Sequence, residues 1–217
     1  MTARMVLFAD RREAGRELAE ELASEAAPDV VVIALSHGGT EVGDEVARSL
    51  HAPLDMLVVR KIRYPGHPAR VLGAVGPGYA VYVHTRADLT SKELSDAAAR
   101  ARAELEHVDE RIHGHVAPID VRGREVMLVD DGITTGARMI TAARWARTQH
   151  ARRVVAAVPV SSAEAAADVR GEVDLLVCPH ELASLESVPL RYAVFEPVDD
   201  EWAIAMLRHA ASAAVLS

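Results

Sequence analysis

The chain has 217 residues, of which 50% are hydrophobic and 26% are charged, and its formal net charge at pH 7 is −8. This length and composition are typical of a globular protein that buries a substantial core, so we expect one domain over residues 1–217. The acidic balance argues against a nucleic-acid-binding surface, and because no apolar run approaches the roughly 18 residues of a membrane span, we expect a cytoplasmic protein without a membrane segment.

Predicted helices and strands alternate along most of the chain. Capping patterns and helical periodicity predict helices over about 11–22, 40–50, 90–112, 137–145, 161–169 and 199–211. Ser161 is the predicted cap of the fifth helix. Short apolar runs predict buried strands over 30–35, 54–59, 126–129, 153–160 and 173–178. Strands that alternate with helices indicate an α/β fold with a mostly parallel sheet.

Three segments interrupt this alternation. Residues 60–68 contain two prolines and a glycine, so we predict a loop there. Residues 71–75 and 79–83 flank Gly76-Pro77-Gly78 and predict a β-hairpin. Residues 179–198 show neither the periodicity of a helix nor that of a strand.

The helix predicted over 90–112 has one narrow apolar seam. Its residues are Leu94, Ala98, Ala101, Leu105, Val108 and Ile112. We expect the seam to pack against the protein's own sheet, and contact with a second copy in a homodimer is the alternative. His113 and His115 follow without a cysteine or carboxylate at zinc-site spacing, so we interpret them as solvated histidines at a helix end rather than metal ligands.

The segment from Val126 to Ala137 contains the most informative pattern in the chain. Four apolar residues precede Asp130 and Asp131, and a loop of small residues then leads into a helix. Two carboxylates can accept hydrogen bonds from neighbouring sugar hydroxyls, while the unpaired N–H groups of a helix N-terminus suit a phosphate. We therefore predict a sugar-phosphate site at the carboxyl end of a central strand.

Two further strand ends are expected at the same sheet edge. One leads into Ser36, His37, Gly38 and Gly39, which offer a hydroxyl, an imidazole and closely approachable amides to an anion. The other leads into Arg60, Lys61 and Arg63, whose charges can neutralise phosphate. The three segments together predict a phosphate-ligand site.

The run from Leu128 to Gly136 closely resembles the phosphoribosyl pyrophosphate (PRPP) motif of type I phosphoribosyltransferases, in which hydrophobic residues precede an acidic pair and a Thr/Gly loop. Asp10-Arg11, Gly38-Gly39 and Arg60-Lys61 extend the resemblance over roughly 8–160. The resemblance implies the fold of that family, a central, mostly parallel sheet flanked by helices, with a β-hairpin or flexible loop and a small hood. The hood is expected near 179–198.

The resemblance also implies roles for individual residues. The ribose and 5′-phosphate of PRPP would be bound by Asp130, Asp131, Gly132, Ile133, Thr134, Thr135, Gly136 and Ala137. Pyrophosphate would be bound by Ser36, His37, Gly38, Gly39, Arg60 and Lys61. The acidic pair, Arg60 and Lys61 would be the catalytic residues, with Arg60 and Lys61 at the start of a mobile loop. Magnesium would be held by PRPP and water, with no direct protein ligand.

The implied reaction transfers the phosphoribosyl group to a nitrogen acceptor such as a nucleobase and releases pyrophosphate. Tyr192 or Phe195 in the hood could stack on a planar base, although core packing explains both residues equally well. His37 departs from the family pattern, since members usually carry Arg or Lys at this position. This departure leaves open a regulator of the same fold that binds PRPP or a nucleotide with little or no catalysis.

Overall fold

The computed structural model describes residues 5–82 and 88–214, and its helices and strands follow the alternation expected from the sequence. In chain order they are α1 (Arg11–Leu22), β1 (Val31–Ala34), α2 (His37–Leu50), β2 (Leu54–Met56), β3 (Arg60–Tyr64), β4 (His67–Gly76), β5 (Tyr79–Tyr82), α3 (Ser91–His113), β6 (Glu125–Val129), α4 (Ala137–Thr148), β7 (Arg153–Ala157), β8 (Val160–Ser162), α5 (Ala163–Arg170), β9 (Leu175–Val177), β10 (His180–Leu182), a 3₁₀ turn (Val188–Arg191) and α6 (Asp200–Ala214).

A five-stranded parallel sheet forms the centre of the fold. Its strand order is β2-β1-β6-β7-β9, and β6 is paired on both sides, with Val129 beside Ala34 of β1 and Ala157 of β7. Every residue of β6 is buried, as expected for a strand covered by helices on both faces. The predicted α/β class is confirmed, and the carboxyl ends of β1 and β6 lie side by side.

The loop predicted over 60–68 is wrong, because β3 and β4 form an antiparallel pair with a turn at Pro65-Gly66. Proline followed by glycine is a favoured turn dipeptide, so these residues join the strands instead of ending them. Pro68 lies between the pairs Tyr64 with His67 and Arg63 with Val71, where the register shifts. β5 completes this three-stranded sheet and confirms the predicted hairpin; Val83 lies outside the described residues.

Two helices begin at positions other than those predicted. α2 begins at His37 because Ser36 caps it, its Oγ accepting a hydrogen bond from the N–H of Gly39 at 2.9 Å. The cap of α5 is Ser162, whose Oγ accepts from the N–H of Ala165. Ser161 lies in β8 instead, since the strand predicted over 153–160 is divided into β7 and β8.

The expected hood includes part of the N-terminus, which the sequence did not predict. Within the hood, β10 pairs in parallel with β8. The backbone of residues 191–194 forms hydrogen bonds with residues 7–9, and Phe8, Leu185 and Tyr192 form a small apolar cluster with Val160. The hood is therefore built from residues 7–9 together with the segment that precedes α6.

The long helix α3 packs on the three-stranded sheet and α6. Its buried residues are Ala97, Ala101, Leu105 and Ile112, and they join the core on that side of the molecule. Packing within the chain is thereby confirmed, whereas the homodimer stays a prediction. No helix in the described part of the chain is both long and apolar enough to cross a membrane.

His113 connects the end of α3 to β2 and is not a solvated histidine as we had interpreted it. Its Nδ1 lies 2.9 Å from Asp109 Oδ1, and its Nε2 lies 3.4 Å from Oδ1 of the buried Asp55. The second oxygen of Asp55 accepts a hydrogen bond from the N–H of Ile119 at 2.8 Å. The hydrogen bond to Asp55 is the main cause that raises the pKa of His113.

We predict that His113 stabilises the fold more at low pH than at high pH. Because its folded-state pKa is raised, the stabilisation is complete below the unfolded value of roughly 6.5 and is lost as the pH rises through the folded value. His113→Gln should lower the free energy of unfolding by about 1 kcal/mol at pH 5.5 and by less at pH 8.5, measured by urea denaturation. His107→Gln, on an exposed position of α3, is the control. A difference that is independent of pH would contradict this role.

Candidate active site

A cleft of about 440 Å³ opens at the edge where β1 and β6 end. Its lining combines residues predicted from all three segments of the sequence with residues of the hood. The lining residues are Arg11, Ser36, His37, Gly38, Lys61, Asp131, Gly132, Thr134, Arg138, Glu186, Ser187, Val188, Pro189, Phe195 and Val198. Clefts of this size are typical of small-molecule sites.

Asp130 follows β6 directly and is 2% exposed. Its Oδ1 accepts a hydrogen bond from Ser36 Oγ at 2.6 Å and one from the N–H of Asp131 at 3.1 Å. Its Oδ2 forms an ion pair with Arg138 at 2.9 Å. The carboxylate therefore joins the start of α2 to the start of α4.

Asp131 is 7% exposed, and its Oδ2 accepts a hydrogen bond from Arg11 Nε at 3.1 Å. Burial, followed by the charge of Asp130, raises the pKa of Asp131 to about 6, although Arg138 and Arg11 act in the opposite direction. Two adjacent buried carboxylates resist simultaneous ionisation, so the arginines limit the cost of holding both charges.

The helix α4 begins with an N-terminus suited to an anion. Gly136 is the N-cap residue, so no side chain satisfies the first N–H groups of the helix. A smaller recess at this point is lined by Lys61, Asp130, Gly132, Ile133, Thr135, Gly136, Ala137, Arg138 and Met139. The loop and the helix start predicted to bind phosphate are thus brought together with two cations.

The turn into α2 approaches the acidic pair so closely that a side chain in place of Gly38 would displace the contact between Arg11 and Asp131. A Cβ on Gly38 would lie 2.5 Å from Asp131 Oδ2 and 2.6 Å from Arg11 Nε. The imidazole of His37 contacts Asp200 at the start of α6 and not the acidic pair, with Nε2 2.5 Å from Oδ1 of Asp200. Asp200 also pairs with Arg111 at 2.9 Å, a contact that the sequence did not predict.

The two predicted catalytic cations occupy different positions. Lys61 lines the cleft, and burial, followed by the charge of Arg138, lowers its pKa. Arg60 is not among the cleft residues, and burial lowers its pKa as well. The loop expected to begin with these residues is wrong, because both lie in β3 and pair with β4. The mobility expected of the segment stays a prediction.

The two hood aromatics differ in their exposure. Tyr192 is 5% exposed, its hydroxyl donates to the carbonyl of Asp131 at 2.6 Å, and its ring lies 5.2 Å from that of Phe8. Core packing therefore explains Tyr192, and the proposed stacking on a base is wrong for this residue. Phe195 lines the cleft, with the guanidinium of Arg11 3.6 Å from its ring centroid.

The sequence reasoning missed Arg11 and Arg138 as site residues. Arg138 lies one residue beyond the predicted phosphate-binding run, so its position in the first turn of α4 was an available signal. Arg11 is separated from Asp131 by 120 residues, and no local pattern indicates their contact. The hood residues Glu186 to Pro189 and Val198 were likewise not identified.

The family described as the phosphoribosyl transferase domain matches residues 9–184 of this chain. The chain belongs to the phosphoribosyltransferase family. The matched residues include the acidic pair, the turn into α2 and the start of α4.

Solved structures share the fold of this chain. The crystal structure of TT1426 from Thermus thermophilus is 38% identical with a TM-score of 0.78, over 94% of this chain and 99% of that one. AQ2163 from Aquifex aeolicus shares the fold, at 12% identity and a TM-score of 0.52, over 85% of this chain and 86% of that one.

A Mycobacterium tuberculosis protein named as a putative phosphoribosyl transferase is 38% identical over 212 residues, which are 95% of this chain and 47% of the relative. The chain therefore spans about half the length of the curated relatives it matches. The single domain over 1–217 stays a prediction.

We predict that the ionisation of Asp131 destabilises the folded protein. Because its pKa is raised, the wild-type protein should lose stability relative to Asp131→Asn as the pH rises from about 4 to 6, with no further change above about 7. A shift of this size corresponds to roughly 2 to 3 kcal/mol. Urea denaturation of both proteins between pH 4.5 and 8 measures the difference. If the difference in stability between the two proteins were the same at every pH in this range, burial would not affect the ionisation of this carboxyl group.

Proposed function

We propose that this phosphoribosyltransferase-family chain binds PRPP with magnesium and transfers the phosphoribosyl group to a nitrogen acceptor. The observation that supports this proposal most directly is the buried pair Asp130 and Asp131 beside the uncapped N-terminus of α4. A ribose phosphate needs both features within a few ångströms, hydroxyl acceptors for the sugar and N–H donors for the phosphate.

The charges that line the cleft indicate how PRPP would be oriented in it. The 5′-phosphate would bind the N–H groups between Thr134 and Ala137, and the ribose hydroxyls would bind the acidic pair. Pyrophosphate would then lie toward Lys61 and the turn of Gly38 and Gly39, where the cleft carries positive charge. The hood side of the cleft, which includes Phe195, Val188 and Val198, would receive the acceptor.

The donor set fits magnesium that arrives with its substrate. Within the described ranges, no group of three or more His, Cys, Asp or Glu side chains could hold a metal ion. Magnesium prefers octahedral oxygen coordination and keeps several waters, so the pyrophosphate oxygens would supply its ligands. The bound ion would help to neutralise pyrophosphate as the leaving group.

The residues of the chain would act by position and charge. The acceptor nitrogen forms a bond to the anomeric carbon, the bond from that carbon to pyrophosphate breaks, and the acceptor releases its proton. Asp130 and Asp131 would orient the ribose as positive charge develops on it, and Lys61 and Arg138 would stabilise the departing negative charge. No covalent nucleophile is needed, and the only cysteine, Cys178, is an unsuitable one because burial raises its pKa to about 12.

One observation favours the second candidate, a regulator that binds PRPP or a nucleotide without transfer. The imidazole of His37 contacts Asp200, so the carboxylate offsets any charge that the turn could offer to pyrophosphate. A homodimer and a cytoplasmic location stay predictions, and the apolar seam of α3 does not support the homodimer because it packs within the chain.

Calorimetric titration with PRPP and magnesium tests the binding proposal. The affinity of the double variant Asp130→Asn with Asp131→Asn for PRPP should be lower by a factor of about 100 or more, because the variant loses two charged hydrogen-bond acceptors. Asp120→Asn, an exposed residue near the opposite end of β6, is the control and should bind like the wild-type protein. Equal affinity of the double variant and the control would contradict the assignment.

Release of pyrophosphate across a panel of nucleobases separates the two candidates. A transferase should release pyrophosphate with at least one base, at a rate that the double variant lacks. Tight binding of PRPP without release for any base would favour the regulator.

A further inference from the structure

Arg11 is a buried cation that the proposed reaction does not yet use. It is 6% exposed, although its residue type is seldom buried without partners. Its Nε donates to Asp131 Oδ2 at 3.1 Å, and one terminal nitrogen donates to the carbonyl of Glu196 at 2.7 Å and to Glu41 Oε2 at 3.3 Å. The same guanidinium covers the ring of Phe195. One side chain thus contacts the acidic pair, α2 and the hood.

The hood forms backbone hydrogen bonds with residues 7–9, just before Arg11 in the sequence. The N–H groups of Leu7 and Phe8 donate to the carbonyl of Arg191, and those of Ala193 and Val194 donate to Phe8 and Ala9, at 2.8 to 3.0 Å. Because Arg11 follows this paired segment by two residues, a shift of the hood would be transmitted to its backbone.

Asp131 is therefore connected to the hood at two points. Its carbonyl accepts from the Tyr192 hydroxyl, and its carboxylate accepts from Arg11. Arg11 engages Oδ2, which leaves Oδ1 able to accept a hydrogen bond from a ribose hydroxyl. A ribose bound there would fix the plane of the carboxylate and hence the guanidinium that lies over Phe195.

We propose that Arg11 is a positioning residue that couples the ribose site to the hood, so that binding of PRPP orders the surface that receives the acceptor. This inference rests on the proposed function, since it takes PRPP as the ligand of Asp131. A planar guanidinium suits the task because it can donate in two directions while it stacks on a ring, which a lysine ammonium cannot do.

Other charged groups also surround the pair of Arg11 and Asp131. Asp131 is also near Asp130, Arg138 and Lys61, while Arg11 is also paired with Glu41. Gly38 leaves the space in which Arg11 Nε and Asp131 Oδ2 meet, since a Cβ would overlap both atoms.

Hydrogen–deuterium exchange of residues 188–198, with and without PRPP and magnesium at pH 8, tests the coupling. At this pH, Asp131 is expected to be ionised. In the wild-type protein, ligand should slow exchange of these hood amides about tenfold. In Arg11→Met, ligand should leave hood exchange unchanged, and calorimetry should show an affinity lower by about the same factor, because coupling between two sites is reciprocal. Arg12→Met, which among the described residues loses ion pairs with Asp44 and Glu45, should behave like the wild-type protein.

Arg11→Lys separates the coupling from a simple effect of charge. The variant keeps the positive charge but cannot contact Asp131, Glu196 and Phe195 together, so hood protection should stay absent. Full recovery of protection in Arg11→Lys, or protection retained in Arg11→Met, would overturn the inference. If Arg11→Met accelerated exchange equally with and without ligand, Arg11 would only stabilise the hood and the inference would be wrong. Failure of the wild-type protein to bind PRPP would instead remove the proposed function on which this inference depends.

Discussion

The burial of two adjacent carboxylates at the end of β6 is the constraint on which the arrangement of this protein depends. Burial disfavours the charged form of Asp131, and the like charge of Asp130 adds to this cost, so the pKa of Asp131 is raised. Arg11, Arg138 and Ser36 compensate this cost from α1, α4 and the turn before α2. Three elements far apart in sequence are therefore held at one sheet edge by the same pair of residues.

This arrangement also explains why the cleft is predominantly polar on one side. The turn into α2 must approach the acidic pair closely, and the start of α4 must stay uncapped if it is to receive an anion. The opposite side, where Phe195, Val188 and Val198 lie with Glu186 and Ser187, lacks these requirements. The polar side therefore suits PRPP, while the hood side is where a particular acceptor would be selected.

The sequence allows prediction of features whose determinants are contiguous. The run from Val126 to Ala137 contains its own strand, carboxylates, turn and helix start, so both the sheet and the acidic end of the site could be inferred from it. β3 was missed because Pro65-Gly66 indicates a turn equally well in a loop or between strands. Arg11 and Tyr192 could not be assigned, since their partners at Asp131 lie 120 and 61 residues away.

A crystal structure with PRPP and magnesium tests the central claim most directly. The account predicts the 5′-phosphate on the N–H groups between Thr134 and Ala137, with the ribose hydroxyls on Asp130 and Asp131. Arg138 would have to share Asp130 Oδ2 with the ligand or leave it, because the carboxylate is already engaged at both oxygens. A ligand bound with its phosphate in the hood, or with the acidic pair still bound only to Arg11 and Arg138, would contradict the account.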